Sequence, residues 1–216
     1  MSNHTAAPAD SISINDTDSP ILRSIVDRRS IRRYADRPVP RDLITRLLTA
    51  ATWAPSAHNR QPWRFAVVID ADVKRDLAAA MGARLRRDLA ADGVPEAAIV
   101  KDTERSYARI TGAPVAIVVC LTLRDMDRYP DSRRAELEYL MAAQSAAMAG
   151  SNLLLAAHDA GLGACWMCAP LFCPDVVRGA LDLPDDWHPQ GMITIGFPAE
   201  SREKTRHLVE ESIVWR

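Results

Sequence analysis

The sequence lacks the features that point to several kinds of partner or compartment. Its 216 residues carry a formal net charge of −1, so long-range attraction to nucleic acid or to an anionic membrane is not expected. No uninterrupted apolar run is long enough to span a bilayer. The four cysteines form no disulfide framework, and no basic stretch followed by an apolar core opens the chain. We therefore expect a cytoplasmic protein with reduced thiols.

Motifs of several reaction classes are also missing. There is no G-x-G-x-x-G or Walker sequence, no legible nucleophile triad, no carboxylate pair and no complete set of metal ligands. Cys165 and Cys168 have C-x-x-C spacing, and Cys173 follows shortly after. No second pair completes a zinc site, and a thioredoxin-type pair would open a helix instead of following one. A thiol or metal role stays open as an alternative to two small residues on a buried strand.

The composition is that of one ordinary globular domain. Hydrophobic residues make up 48% of the chain and charged residues 25%. Residues 1–18 are polar, small and rich in turn formers, and we interpret them as a flexible arm. Residues 19–216 contain no internal repeat and no linker, which predicts a single domain.

The hydrophobic pattern predicts more helices than strands, without the regular alternation of a Rossmann fold. Strands are predicted over 63–70, 113–123, 163–169 and 191–198. Helices are predicted over 20–29, from Pro40 to before Pro55, twice between 73 and 110 with a break at 93–95, over 133–159, and over 174–184.

The long helix over 133–159 carries enough apolar residues to predict a core-facing stripe. Gly161 is well placed to end it in the left-handed conformation. Ile213, Val214 and Trp215 are apolar residues at the chain end, and a partner subunit could cover them. The residues expected to face inward from the long helix are Leu137, Leu140, Met141, Gln144, Ala147, Met148 and Leu155.

A basic cluster stands out in this nearly neutral chain. Arg28, Arg29 and Arg32 surround Ser30 where the first predicted helix ends. Guanidinium groups pair bidentately with phosphate oxygens, and a hydroxyl adds another donor. The cluster is therefore a candidate anion site, although a charged helix end facing water is the simpler alternative.

A polar loop follows shortly afterwards, between Pro55 and Pro62. Its donors and acceptors suit a flat heteroaromatic ring that carries carbonyls and ring nitrogens. Side chains that only satisfy their own backbone are the alternative. The polar residues of the loop are Ser56, His58, Asn59 and Gln61.

These segments together resemble the nitroreductase-like FMN-dependent oxidoreductases. "RRSIRRY" (28–34) is similar to the family signature R-x-S-x-R/K-x-[FY], and "PSAHNRQPW" (55–63) fits P-S-x-x-N-x-Q-P-W at every fixed position. "KTR" (204–206) resembles the late basic pair of the family. The segment "GLGACW" (161–166) and the closing "VEESIVW" look most like the branch that contains the flavin domain of the coenzyme F420 biosynthesis protein. The ligase portion fused to that domain has no counterpart here.

The resemblance implies an α+β three-layer sandwich, with a mixed central sheet flanked by helices and a C-terminal tail exchanged in a homodimer. It implies that FMN carries hydride or electrons from NADH or NADPH to a small acceptor such as a nitroaromatic, quinone or enone, with no catalytic protein residue. The FMN phosphate and ribityl chain would be held by Arg28, Arg29, Ser30, Arg32, Lys204 and Arg206. The ribityl and ring would be approached by Ser56, Asn59 and Gln61, and flavin N5 by the backbone of Trp166, Met167 and Cys168.

Two alternatives remain at this point. The same flavin could reduce an intermediate of the dehydro-F420 type. A protein of a different class, a non-catalytic module that binds a polyanion through Arg28–Arg33, is disfavoured by the near-zero net charge.

Overall fold

The computed structural model describes residues 19–216, so the arm expected over 1–18 lies outside the described residues. A four-stranded sheet lies between two layers of helices, which confirms the predicted three-layer α+β architecture. The strands are β1 (Trp63–Val68), β2 (Val115–Leu121), β3 (Gly163–Met167) and β4 (His188–Gly196). The helices are α1 (Pro20–Asp27), α2 (Arg41–Thr52), α3 (Ala71–Ala91), α4 (Glu96–Thr111), α5 (Ser132–Asp159), α6 (Ala169–Phe172) and α7 (Pro174–Ala180).

Most predicted elements are confirmed to within a few residues at their ends. Ser19 caps α1, its side chain accepting a hydrogen bond from the Leu22 amide. Gly161 has a φ of 74° after α5, and the Leu162 amide donates to the Ala157 carbonyl at 2.8 Å. This closing turn directs the chain into β3. The segment after β3 departs from the prediction, because the strand ends at Met167 and α6 follows.

The sheet has the order β1-β2-β4-β3, and its strands pair only antiparallel within the described residues. A mixed sheet was predicted. β2 and β3 are both antiparallel to β4, so they run in the same direction. They do not pair with each other because β4 lies between them. Parallel pairing is confined to an isolated bridge between Ser30 and Ala164, which places the basic segment along the edge of β3.

β2 connects the two cores because successive side chains of a strand point to opposite faces. Val115 and Ile117 pack in the core that contains α2 and α5. Ala116 and Val118 pack in the core that contains α3, α4 and α7. All residues of β2 are buried, as its continuous apolar run predicts.

The buried face of α5 differs from the predicted one. Small residues such as Ala142 and Ala146 lie inside and allow the helix to approach the sheet closely. Leu137 and Leu140 are each 50% exposed, and Met148 is 38% exposed. Met141 packs against the core as predicted. The prediction was wrong for Leu137, Leu140 and Met148, because it placed these larger apolar side chains in the core. In one chain they form a second apolar face without a covering layer.

α5 is long and apolar enough to be the one candidate membrane span among residues 19–216. The helix packs against the sheet on one side and against α2 on the other. Its position is that of a core helix.

Candidate active site

The basic cluster begins where α1 ends. The Arg28 amide donates to the Ser24 carbonyl at 3.2 Å and closes the helix. The Arg29 guanidinium turns back, and Nη1 donates to the carbonyls of Val26 and, at 3.0 Å, of Arg28. Arg29 Nε is buried and has no hydrogen-bond acceptor among the described residues. A buried donor without an acceptor is costly, and a bound anion would satisfy it.

The charge of Arg206 acts on Arg28, although the two residues lie near opposite ends of the described chain. Burial lowers the pKa of Arg28, and the positive charges of Arg206 and Arg29 lower it further. Arg206 is exposed, and its Nη1 donates to the Thr205 carbonyl at 3.1 Å. The fold therefore concentrates like charges in a partly buried place, as an anion-binding site requires.

The segment from Ser30 to Tyr34 is fixed along β3 by its backbone. The Ile31 amide donates to the Ala164 carbonyl at 3.1 Å, and the Arg32 amide donates to Glu200 Oε1 at 2.8 Å. The Tyr34 hydroxyl lies 2.7 Å from the Ile31 carbonyl, and burial raises its pKa. The Arg32 side chain is thereby directed by an anchored backbone, and its own Nη1 makes only a long contact of 3.4 Å with the Ser30 carbonyl.

Arg109 is a member of this region that sequence reasoning missed. It lies half-buried in the last turn of α4 and makes no hydrogen bond or ion pair with residues 19–216. Burial lowers its pKa, and the next largest cause is the charge of Arg32. The sequence does not distinguish Arg109 from the other charged residues of α4. Its position near Arg32 follows only from how α4 packs in the fold.

The polar loop has an unusual backbone. His58, Asn59 and Gln61 have φ values of 49°, 53° and 51°, in the left-handed region that non-glycine residues rarely adopt. Ser56 Oγ accepts from the Gln61 amide at 3.1 Å, and Gln61 Nε2 donates to Asn59 Oδ1 at 3.3 Å. Strained conformations of this kind cluster at binding and catalytic sites. The exposed amides of Asn59 and Gln61 are presented on a loop of defined shape.

The third segment, at the end of β3, is positioned by a partly buried indole. A Cβ on Gly150 or on Gly191 would lie 2.4 Å from ring atoms of Trp166, so the two glycines make the space that this ring fills. Trp166 Nε1 lies 3.2 Å from the exposed Cys168 Sγ. The backbone of Met167 pairs with Met192 of β4 and ends the strand.

The described cysteines are free thiols, and burial raises the pKa of Cys120 to about 12. No group of three or more metal-ligating side chains occurs within residues 19–216.

The predicted site residues form separate groups, and contacts within the described residues do not connect all of them. Arg28 and Arg29 are partly buried, and Arg206 acts on Arg28 through its charge, whereas Lys204 and Arg206 are both exposed. No hydrogen bond or ion pair within the described residues links the loop at 56–61 to the basic cluster. The loop instead contacts α5, where the Ala57 amide donates to Ser145 Oγ at 3.3 Å.

Comparison with known proteins identifies the fold and the family. Residues 25–197 match the model of the nitroreductase family. The chain belongs to this family.

The nitroreductase assignment agrees with individual relatives. The chain is 34% identical over 185 residues to a candidate NADH dehydrogenase/NAD(P)H nitroreductase of Methanothermobacter thermautotrophicus, covering 84% of this chain and 78% of the relative. It is 32% identical over 214 residues to an NADH dehydrogenase of Thermus thermophilus, covering 88% and 92%. A candidate nitroreductase of Desulfovibrio desulfuricans, solved with FMN, superposes with a TM-score of 0.72 at 30% identity, covering 93% of this chain and 98% of that one. The chain is thus a nitroreductase-like oxidoreductase with the α+β fold of that family.

Proposed function

We propose that this nitroreductase binds FMN and passes reducing equivalents from NADH or NADPH to a small organic acceptor. The observation that carries the proposal is the buried Arg29 donor that lacks an acceptor, next to Arg28, whose pKa the positive charges of Arg206 and Arg29 lower. A phosphate monoester supplies the charge and the acceptor oxygens that this arrangement needs. The FMN-bound relative supports the choice of mononucleotide.

The residues of the three segments have distinct tasks in this proposal. Arg28, Arg29, Ser30, Arg32, Lys204 and Arg206 would hold the phosphate and ribityl chain. Arg109, whose pKa the charge of Arg32 lowers, would add positive charge that favours an anionic ligand. The amides at Ser56, Asn59 and Gln61 orient the ring, and the backbone of Trp166, Met167 and Cys168 borders N5. When bound, FMN supplies hydride acceptance and donation.

The functional unit in this proposal is a homodimer. The large apolar residues of α5 and the tail residues are exposed in one chain: Val214 is 74% exposed and Trp215 is 89% exposed. A second copy that covers this face, with exchanged tails, would bury them and bring its polar loop to the basic cluster of the first. We further propose that the dimer acts in the cytoplasm.

The test is the colour of the purified protein. We expect a yellow protein that bleaches under anaerobic conditions with NADH or NADPH and regains its absorbance with a nitroaromatic or quinone. The double variant Arg28→Gln/Arg206→Gln should lose FMN, whereas Arg46→Gln, at an exposed arginine of α2, should retain it. A colourless protein that binds no added FMN would refute the proposal.

The acceptor panel should include a dehydro-F420-type intermediate. The finer resemblance to the F420 branch rests on three sequence segments, "GLGACW", "RGALDLPDDWHPQGMITIGFPAE" (178–200) and "VEESIVW". Reduction of that compound faster than of nitroaromatics and quinones would place the protein in that branch.

A further inference from the structure

A largely buried acidic residue without a side-chain partner lies outside the proposed flavin site, with its carboxylate oxygens open to a cavity. Glu138, in the second turn of α5, is only 6% exposed. It forms no hydrogen bond and no ion pair with any residue from 19 to 216. Burial of a carboxylate is costly unless a cation or a hydrogen-bond donor compensates it. A bound ligand can provide that compensation.

Glu138 lines a cavity of about 620 Å³ between the start of α5, the segment after β2 and the start of β4. This volume is in the range of small-molecule sites. The cavity adjoins the polar loop, because Asp127 on its wall pairs with Arg60 at 2.8 Å. It is nevertheless a separate space, lined by none of the residues assigned to FMN above.

The other charges of the cavity are mostly neutralised within the protein. Arg124 pairs with Asp186 at 3.1 Å, and the same carboxylate accepts from Thr122. The charges without a side-chain partner in the described part are Glu138, Asp185 and, at the exposed rim, Arg128. The uncompensated charge of the cavity is therefore negative.

Part of its wall is apolar. Leu123 and Met126 contribute aliphatic surface, and Ala135 leaves room on the α5 side. Tyr129 adds an aromatic ring, over which Arg134 already lies at 4.6 Å. A ligand that fits combines a positive group with a flat or apolar body.

We propose that this cavity binds a small organic cation, an ammonium or amidinium group carried on an apolar or aromatic body, through the carboxylate of Glu138. The proposal does not depend on the redox function, since it concerns residues that do not touch the flavin site. Binding to the cavity can be measured without catalytic turnover.

The probes are benzamidine and its neutral isostere benzamide, titrated by calorimetry into the wild-type protein as purified. A charge-assisted contact to a buried carboxylate should make benzamidine bind about tenfold tighter than benzamide, or more. Flavin absorbance of the same samples is recorded, so that failure of cation binding and failure of FMN binding are distinguished.

Two variants assign the binding to the cavity. Glu138→Gln keeps the shape and removes the charge, and it should abolish the preference for benzamidine over benzamide. Ala135→Leu keeps the charge and fills the space, and it should weaken both probes. Asp185→Asn, at the exposed edge, is the matched control and should change affinity by no more than about threefold, because an exposed ion pair contributes little. A single cooperative thermal transition confirms that Glu138→Gln is folded.

Equal affinity of the wild type for the two probes would overturn the proposal. So would benzamidine binding that survives both Glu138→Gln and Ala135→Leu. Conversion of the protein to a smaller species by Glu138→Gln would also overturn it, because the carboxylate would then serve a contact between subunits.

Discussion

Arg28 and Arg29 of the basic cluster lie in places that destabilise the ligand-free protein. Burial and the neighbouring charge of Arg206 both lower the pKa of Arg28, so each disfavours the charged form of Arg28 in the ligand-free protein. The uncompensated Arg29 Nε adds a further cost. An anion that binds would offset these costs. A residue that serves binding therefore destabilises the ligand-free protein, whereas a structural residue stabilises it.

This distinction makes Arg28→Gln informative. Because the substitution removes a charge that Arg206 repels, we expect the FMN-free protein to melt at an equal or higher temperature. The affinity for FMN should fall by about 1–3 kcal/mol, the range of a lost charge-assisted contact. Calorimetric unfolding of the FMN-free protein and flavin fluorescence titration measure the two effects. A variant that loses stability and keeps its FMN affinity would show that Arg28 is structural.

Sequence reasoning reaches some of these residues and misses others for a physical reason. Arg28 and Arg29 were found because they stand next to each other in a chain of net charge −1. Arg109 and Glu138 were missed because their roles depend on burial, and burial depends on how helices pack. A charged residue on a helix is exposed by default, and sequence gives no sign of the exceptions.

At the scale of elements, the end of β3 depends on the fit of Trp166 between α5 and β4. Glycine inside a helix normally costs stability relative to alanine, by about 0.5–1 kcal/mol. Gly150 is an exception because a Cβ there would lie 2.4 Å from the Trp166 ring, and the same ring also fits closely against Gly191 of β4. The conformational gain from alanine is therefore outweighed by overpacking.

We expect Gly150→Ala to lower the free energy of unfolding by about 1–3 kcal/mol. The emission of Trp166 should shift as the ring leaves its slot, and flavin reduction should slow because the border of N5 moves. Gly82→Ala is the matched control: nothing lies within 4 Å of its Cβ in α3, so alanine should stabilise the protein by about 0.5–1 kcal/mol. Equal shifts in the same direction would disprove the proposed slot.

The basic segment along β3 responds to acid through Glu200. The Arg202 side chain and then the Arg32 amide lower the pKa of Glu200 from 4.5 to about 2. Since the folded pKa is depressed, the contribution of this carboxylate to stability is fully present above pH 4.5. It is lost as the pH falls from 4.5 toward 2.

The expected result is a melting temperature that falls over this pH range in the wild type and falls less in Glu200→Gln. The glutamine keeps an acceptor for the Arg32 amide but has no charge to titrate. Thermal unfolding at a series of pH values compares the two proteins. Parallel curves would show that other carboxylates account for the acid sensitivity.

The elements themselves were more predictable than their orientation. β2 and the positions of α3, α4 and α5 follow from apolar runs, periodicity and breaks such as Gly93, which has a φ of 74°. The face of α5 was assigned wrongly, because both of its sides carry apolar residues. Which side meets the sheet is decided by the size of Ala142 and Ala146, a packing effect that periodicity does not register.

For the whole molecule, the exposed apolar side of α5 predicts assembly. We expect Leu140→Glu to convert the proposed homodimer to monomers, because it places a charge in the middle of the face to be covered. Val73→Glu is the control, since Val73 is a 39% exposed apolar residue on α3, away from this face. Size-exclusion chromatography with light scattering gives the mass of each. Monomeric wild-type protein would contradict the prediction, as would an unchanged mass for Leu140→Glu.

The exposed C-terminal tail has a consequence for how the protein would lose FMN and dissociate. Residues 201–216 are exposed throughout, and they contain Lys204 and Arg206, after which trypsin cleaves. A cut after Lys204 would remove the proposed phosphate anchor Arg206 and the proposed strap between subunits at the same time. Dilution or a trace of protease should therefore bleach the preparation and split its oligomers in step, with added flavin mononucleotide slowing both.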